Sequence, residues 1–118
     1  MAPKHTTLVK QMARLEAIRL LVLNVPGPAE EFVHDQHERG EIRGYRSFAR
    51  EVGAVIARID ITPKEKLANV TRLVSFIPRE FISDPNDREA SEYSNGYERG
   101  EIEFAKRVRR ILNSPVTA

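Results

Sequence analysis

Cysteine and tryptophan are both absent from the 118 residues. Without cysteine there are no disulfides, no thiolate nucleophile and no Cys-ligated zinc, and redox usage gives no information on compartment. Long apolar runs are also missing. The most apolar stretch, LLVLNV (residues 20–25), is far shorter than the roughly 20 residues a membrane-spanning helix needs. The opening MAPKHTTLVK lacks the apolar core of a secretory signal. These absences predict a cytoplasmic protein with no membrane contact. An excess of one charge is lacking too: 19 Lys+Arg face 17 Asp+Glu, a formal +2. So small a balance does not announce a nucleic-acid binder. Arginine supplies 14 of the 19 cations, and its planar guanidinium is the better fork for carboxylates and phosphates.

What is present reads as one all-α domain over residues 1–118. Leu8, Met12, Leu15, Ile18 and Val22 recur at helical spacing after Thr6 or Thr7 as a cap. The VPGP segment breaks the chain, and Pro28 is placed to open a second helix that runs to about Ile59. In ITPKEK, Thr62, Pro63 and Glu65 have capping-box spacing. The third helix carries Leu67, Val70, Leu73, Val74 and Ile77 on one side and ends before Pro78. Asp84 and Pro85 give a second cap-plus-proline start for a fourth helix ending near Leu112, with a frayed tail over 114–118.

The two long helices repeat one pattern. A shift of 56 residues lays Gly40, Arg43, Gly44, Phe48, Ala49 and Val52 on Gly96, Arg99, Gly100, Phe104, Ala105 and Val108. Upstream, a shift of 55 lays Met12, Ala13, Leu15 and Ile18 on Leu67, Ala68, Val70 and Leu73. The expected architecture is two tandem helical hairpins, each a short helix followed by a long one, at about 6–60 and 62–113, related by a pseudo-two-fold axis. Glycine in a helix costs about 1 kcal/mol relative to alanine, so four glycines at G-x-x-x-G spacing imply close helix crossings, within the domain or across a homodimer. A backbone-contacting ligand site is the alternative.

At 100° per residue, Tyr45, Phe48, Ala49, Val52, Val55, Ile56 and Ile59 share one side of the second helix. Tyr93, Tyr97, Phe104, Ala105, Val108, Ile111 and Leu112 share the matching side of the fourth. Arg39, Arg43, Arg46 and Arg50, with Arg99, Lys106 and Arg110, fall opposite as basic stripes and are the candidate macromolecule contacts. The start of the second helix departs from this pattern by placing His34, His37, Glu38 and Glu41 on the core side. Facing long helices would let His37, Glu41, Tyr45, Tyr93, Tyr97 and Glu101 converge, which makes them the candidate small-ligand pocket. Carboxylates accepting tyrosine hydroxyls at a wet end of the bundle account for the same residues without a ligand.

His34, His37, Glu38 and Glu41 are at most a weak metal set. The pairs Glu38/Glu41 and Glu98/Glu101 resemble the Glu-x-x-Glu pairs of helical nucleotide pyrophosphohydrolases and di-iron bundles. The former's E-E-x-x-E with a later E-x-x-D, and the latter's paired Glu-x-x-His, are both missing here. Nor is there a phosphate-binding P-loop, a dinucleotide fingerprint or a nucleophile elbow. No catalytic residue and no cofactor are expected. The segment NGYERGEIEFAKRV (residues 95–108) is similar, in the cadence of its glycines, tyrosine and alanine, to helices of small accessory proteins encoded by bacteriophages. That resemblance implies a host-directed inhibitor or adaptor. The leading expectation is a non-enzymatic protein that binds a protein partner stoichiometrically and self-associates as a homodimer. A nucleic-acid-binding protein and a nucleotide- or metal-binding protein are the alternatives.

Overall fold

Apolar periodicity and caps make helix the only regular structure among the residues described by the computed structural model, 4–25, 33–81 and 92–114. Four helices follow in order, α1 (Lys4–Leu23), α2 (Gln36–Ile56), α3 (Pro63–Ser75) and α4 (Glu92–Asn113), with no strand among the described residues. The expected capping box forms at α3. Thr62 Oγ1 accepts from Glu65 N at 3.2 Å, and Glu65 Oε1 accepts from Thr62 N at 3.2 Å. Two of the donors left free at a helix start are thereby satisfied.

Several boundaries differ from the sequence reading. Thr6 and Thr7 lie inside α1, which already begins at Lys4. Pro28 is outside the described residues, but residues 33–35 are not helical and α2 starts only at Gln36. The cause is Asp35, whose carboxylate accepts from Glu38 N at 2.8 Å and caps the helix there. At the other end α2 stops at Ile56, where Lys66 Nζ from α3 donates to Ile56 O at 2.7 Å; a cation suits a helix C-terminus. Ile59, expected in the core, is therefore beyond the helix and fully exposed. The start of α4 at Asp84-Pro85 falls outside the described residues; its end at Asn113 is within one residue of the expected Leu112.

Among the described residues the closest pairing is between the two long helices. Contacts climb together along both chains: Gly40 lies against Tyr93 and Tyr97, Gly100 against Glu41 and Tyr45, and Phe48 against Phe104. Hence α2 and α4 run parallel. Glycine allows this approach. A Cβ built on Gly40 or Gly44 would collide with the carbonyl oxygen of Tyr93 or Tyr97, and one on Gly96 or Gly100 with that of His37 or Glu41. At Gly40 it would also stand 2.8 Å from Tyr97 N, and at Gly100 2.7 Å from Tyr45 N. With hydrogen in place of Cβ, the glycine C–H points at the opposing carbonyl, a recurrent weak hydrogen bond of tight helix pairs.

Below the glycines the seam widens and side chains fill it. Phe104 stands edge-on to Tyr45 and to Phe48, with centroids 5.1 and 5.7 Å apart. Ile18 from α1, Val70 and Val74 from α3, and Val52 and Val108 complete a fully buried centre, with Ile102 a further buried residue that the expected core omitted. Arg109 ties α3 to α4 by donating from Nη2 to Val74 O at 2.8 Å and to Ile77 O at 2.6 Å. On α1, Leu15 and Ile18 are buried as expected, but Leu8 and Met12 are exposed. The first turns of α1 thus have no apolar neighbour to cover them among the described residues.

The glycine seam predicts different outcomes for two kinds of substitution. Gly44→Ala and Gly100→Ala should each lower stability by about 2 kcal/mol, because backbone must move apart and the overpacking cost exceeds the roughly 1 kcal/mol helix-propensity gain. Gly53→Ala meets only Val22 Cγ1, at 3.0 Å, a side chain able to shift, and should be near neutral. Urea unfolding of the three variants checks the contrast; stabilisation by either of the first two contradicts the packing account.

Candidate functional site

The residues singled out as a pocket divide between the two sides of the glycine seam. On α2, His37 Nδ1 lies 3.2 Å from Glu41 Oε1, one turn apart and both partly exposed. Tyr45, the next residue of that row, belongs to the core: it is buried, and its hydroxyl accepts from Arg107 Nη1 at 3.0 Å. The Arg107 guanidinium also lies 5.4 Å from the Tyr45 ring centroid, a favourable cation–π placement. On α4, Tyr93 and Tyr97 stack at a tilt with centroids 6.5 Å apart.

Two clefts separate the remaining members. Glu41 and Tyr45 line a cleft of about 650 Å³ together with Arg99, Glu103, Lys106 and Arg107. Its charges are paired in part, since Arg107 Nε donates to Glu103 Oε1 at 3.3 Å. Phe81 closes one side of it, with the Arg99 guanidinium 4.5 Å from the ring centroid. Glu101 lines a second cleft of about 340 Å³ with Phe76, Phe81, Glu98 and Ile102. Burial, then the charges of Glu51 and Glu98, push the Glu101 carboxyl above the usual carboxylate range. At the glycines themselves it is backbone that meets across the seam.

His34 precedes the Asp35 cap, so it does not share a helical face with His37, Glu38 and Glu41 as the sequence reading had it. Among the described residues no three His, Asp or Glu side chains gather closely enough to hold a metal ion.

The proposed basic contacts are distributed unevenly. Arg43, Arg50, Arg99, Lys106 and Arg110 are exposed, whereas Arg39 and Arg46 are half-buried, and Arg39 Nε is enclosed without a hydrogen-bond partner among the described residues. The residues that sequence reasoning missed are Arg107 and Glu103, which shape the cleft beside Tyr45; Phe81, which the REFISDP connection offers in the sequence as an anchor or a cover for the end of the bundle, lines it too. The advance signal for Glu103 and Arg107 was their offset of three and seven residues from Gly100 along α4. No helix of the described residues is long and apolar enough to cross a membrane.

A different surface stands out on α1. Leu8, Val9, Met12, Leu20 and Leu23 are all exposed, Met12 by 56% and Leu23 by 64%. At 100° per residue they share one arc of the helix, adjoining the arc that carries Leu15, Ile18 and Val22. Glu16 and Arg19 sit within this arc and neutralise each other through bonds of 2.6 and 2.8 Å.

Comparison of the chain with protein-family models, with curated proteins and with solved structures finds no match.

The raised Glu101 fixes a sign for pH dependence. Between its ordinary value of 4.5 and its higher folded value, the folded state holds more protons than the unfolded one. Stability therefore falls as pH rises through that window. Glu101→Gln should stabilise the protein slightly at pH 7 and make no difference below about pH 4, where glutamate is already protonated. Thermal unfolding of both proteins across pH 3–8 measures this, and a constant difference at every pH contradicts it.

Proposed function

We propose that the protein acts without turnover, by binding a protein partner stoichiometrically, and that α1 provides the anchor. The observation that carries this reading is the exposed arc of Leu8, Val9, Met12, Leu20 and Leu23. Several large apolar residues exposed along one side of a surface helix are costly to leave in water. Their arrangement suits a helix-in-groove or helix-on-helix contact in which a few large side chains carry most of the energy. The internally paired Glu16 and Arg19 add little charge to this face. Exposed Arg43, Arg50, Lys106 and Arg110 supply peripheral charge that would steer an acidic partner. A nucleic-acid partner is less well supported, because Glu38, Glu41 and Glu51 share α2 with its arginines and interrupt a phosphate-binding stripe.

The same surface supports self-association as a homodimer. Duplication is part of the proposal too. Gly40 meets residues 93 and 97 while Gly96 meets residues 37 and 41, and Gly44 meets residue 97 while Gly100 meets residues 41 and 45. Under the 56-residue shift the first pair of contacts maps onto itself. We infer that α2 and α4 descend from one ancestral helix and pack about a local two-fold axis. The resemblance of the α4 segment to helices of phage accessory proteins suits an inhibitor or adaptor directed at a host protein.

The test compares the protein with a Met12→Asp/Leu20→Asp variant. Partner capture, followed by sedimentation of the purified complex, should give a fixed stoichiometry, with affinity at least about tenfold weaker in the variant and an unchanged helical circular-dichroism signal. Charge reversal at Arg43 and Arg50 should slow association more than it speeds dissociation. Undiminished capture by the α1 variant removes the anchor from the proposal.

A further inference from the structure

A third cleft, of about 680 Å³, opens between α1, α3 and α4 and collects three arginines, Arg14, Arg79 and Arg109. No carboxylate is among its described lining residues. This sets it apart from the cleft beside Tyr45, where Glu41, Glu80 and Glu103 offset Arg99, Lys106 and Arg107.

The guanidinium groups are held in place yet not saturated. Arg109 Nη2 is fixed by the carbonyls of Val74 and Ile77 at the end of α3, while its Nη1 is buried with no partner among the described residues. Arg14 repeats the arrangement. Its Nη2 donates to Ser114 O at 3.2 Å, and its Nε is buried with no partner among those residues. Arg79 stands at the exposed rim. Burial first, and then the charge of Arg79, hold the Arg109 guanidinium below its ordinary value. A buried charged donor without an acceptor is unfavourable, and so is a like charge beside it. An anion in the cleft offsets the accumulated positive charge. The α3 carbonyls that would repel such an anion are already covered by Arg109.

We propose that this cleft binds a phosphate dianion, either free or as the monoester of an organic molecule. Three guanidinium groups carry a formal +3. A carboxylate offers one negative charge and two oxygens, whereas phosphate offers up to two charges and three or four oxygens for the same forks. The volume exceeds what free phosphate fills, and Leu67, Val74 and Leu112 give the cleft an apolar wall for an organic substituent. Arg14 projects from α1 well away from the arc of Leu8, Met12 and Leu23, so phosphate binding and partner binding are separable.

Isothermal titration of the intact protein with inorganic phosphate and with phenyl phosphate, at constant ionic strength, tests the site. One or both should bind, tighter phenyl phosphate marking a monoester site and equal affinity marking free phosphate. Arg79→Gln, a rim substitution that leaves the α3 anchor in place, should weaken binding about tenfold, while Arg50→Gln on the far surface of α2 should not. Saturation should shift the Nε–H resonances of Arg14 and Arg109 in nitrogen-15 spectra. Absence of heat and of resonance shifts with both probes overturns the proposal, as does binding that Arg79→Gln leaves unchanged.

Discussion

The approach of two parallel helices through four glycines is the constraint on which the rest of the structure depends. Where Gly40, Gly44, Gly96 and Gly100 line the seam, the opposing surface is backbone, with carbonyl oxygens of His37, Glu41, Tyr93 and Tyr97 filling the place of side chains. Nothing larger than hydrogen fits. Once the helices are set this close at one end, the ring cluster of Tyr45, Phe48 and Phe104 has its spacing, and α1 and α3 have a platform on which to bury Ile18, Val70 and Val74. Such crossings are familiar from membrane helix pairs, where apolar lipid provides no drive for side-chain burial. Here the flanks are charged and the same geometry is anchored by a water-driven core below it.

Some of the positive charge serves the ends of neighbouring helices. Lys66 of α3 takes the last carbonyl of α2, and Arg109 of α4 takes the end of α3. These bonds join successive elements and satisfy carbonyls that a helix cannot pair by itself. They also change what the arginine-rich composition means. An arginine with a structural bond is held in one orientation, and its remaining nitrogens become fixed donors. Arg14 and Arg109 are in this condition, whereas Arg50 and Arg110 remain solvated side chains on the surface.

The candidate pocket illustrates how far spacing carries an argument. Residue order placed His37, Glu41 and Tyr45 in one helical row and Tyr93, Tyr97 and Glu101 in another, and those rows exist. How the two rows are placed relative to one another is a matter of helix approach, and the four glycines bring backbone together at the seam. Tyr45 then faces the core and Arg107, while Glu41 and Glu101 open into different clefts.

The sequence by itself determined the helical class, the Thr62 cap, the end of α4 and the apolar rows of α2, α3 and α4. These are local matters of periodicity, capping chemistry and hydrogen-bond supply within a few residues. It misjudged the start of α2 and the covering of Leu8 and Met12. The first error came from favouring a proline signal over the carboxylate of Asp35, and the second from assuming that every apolar row finds a neighbour. Only the tertiary structure decided that α2 and α4 lie side by side in parallel, that α1 turns an apolar arc outward, and that Arg14, Arg79 and Arg109 share a cleft. Those outcomes join residues as many as 95 positions apart, from Arg14 to Arg109, and no local preference encodes them; they follow from which surfaces remain once the glycine contact has fixed the distance between the long helices.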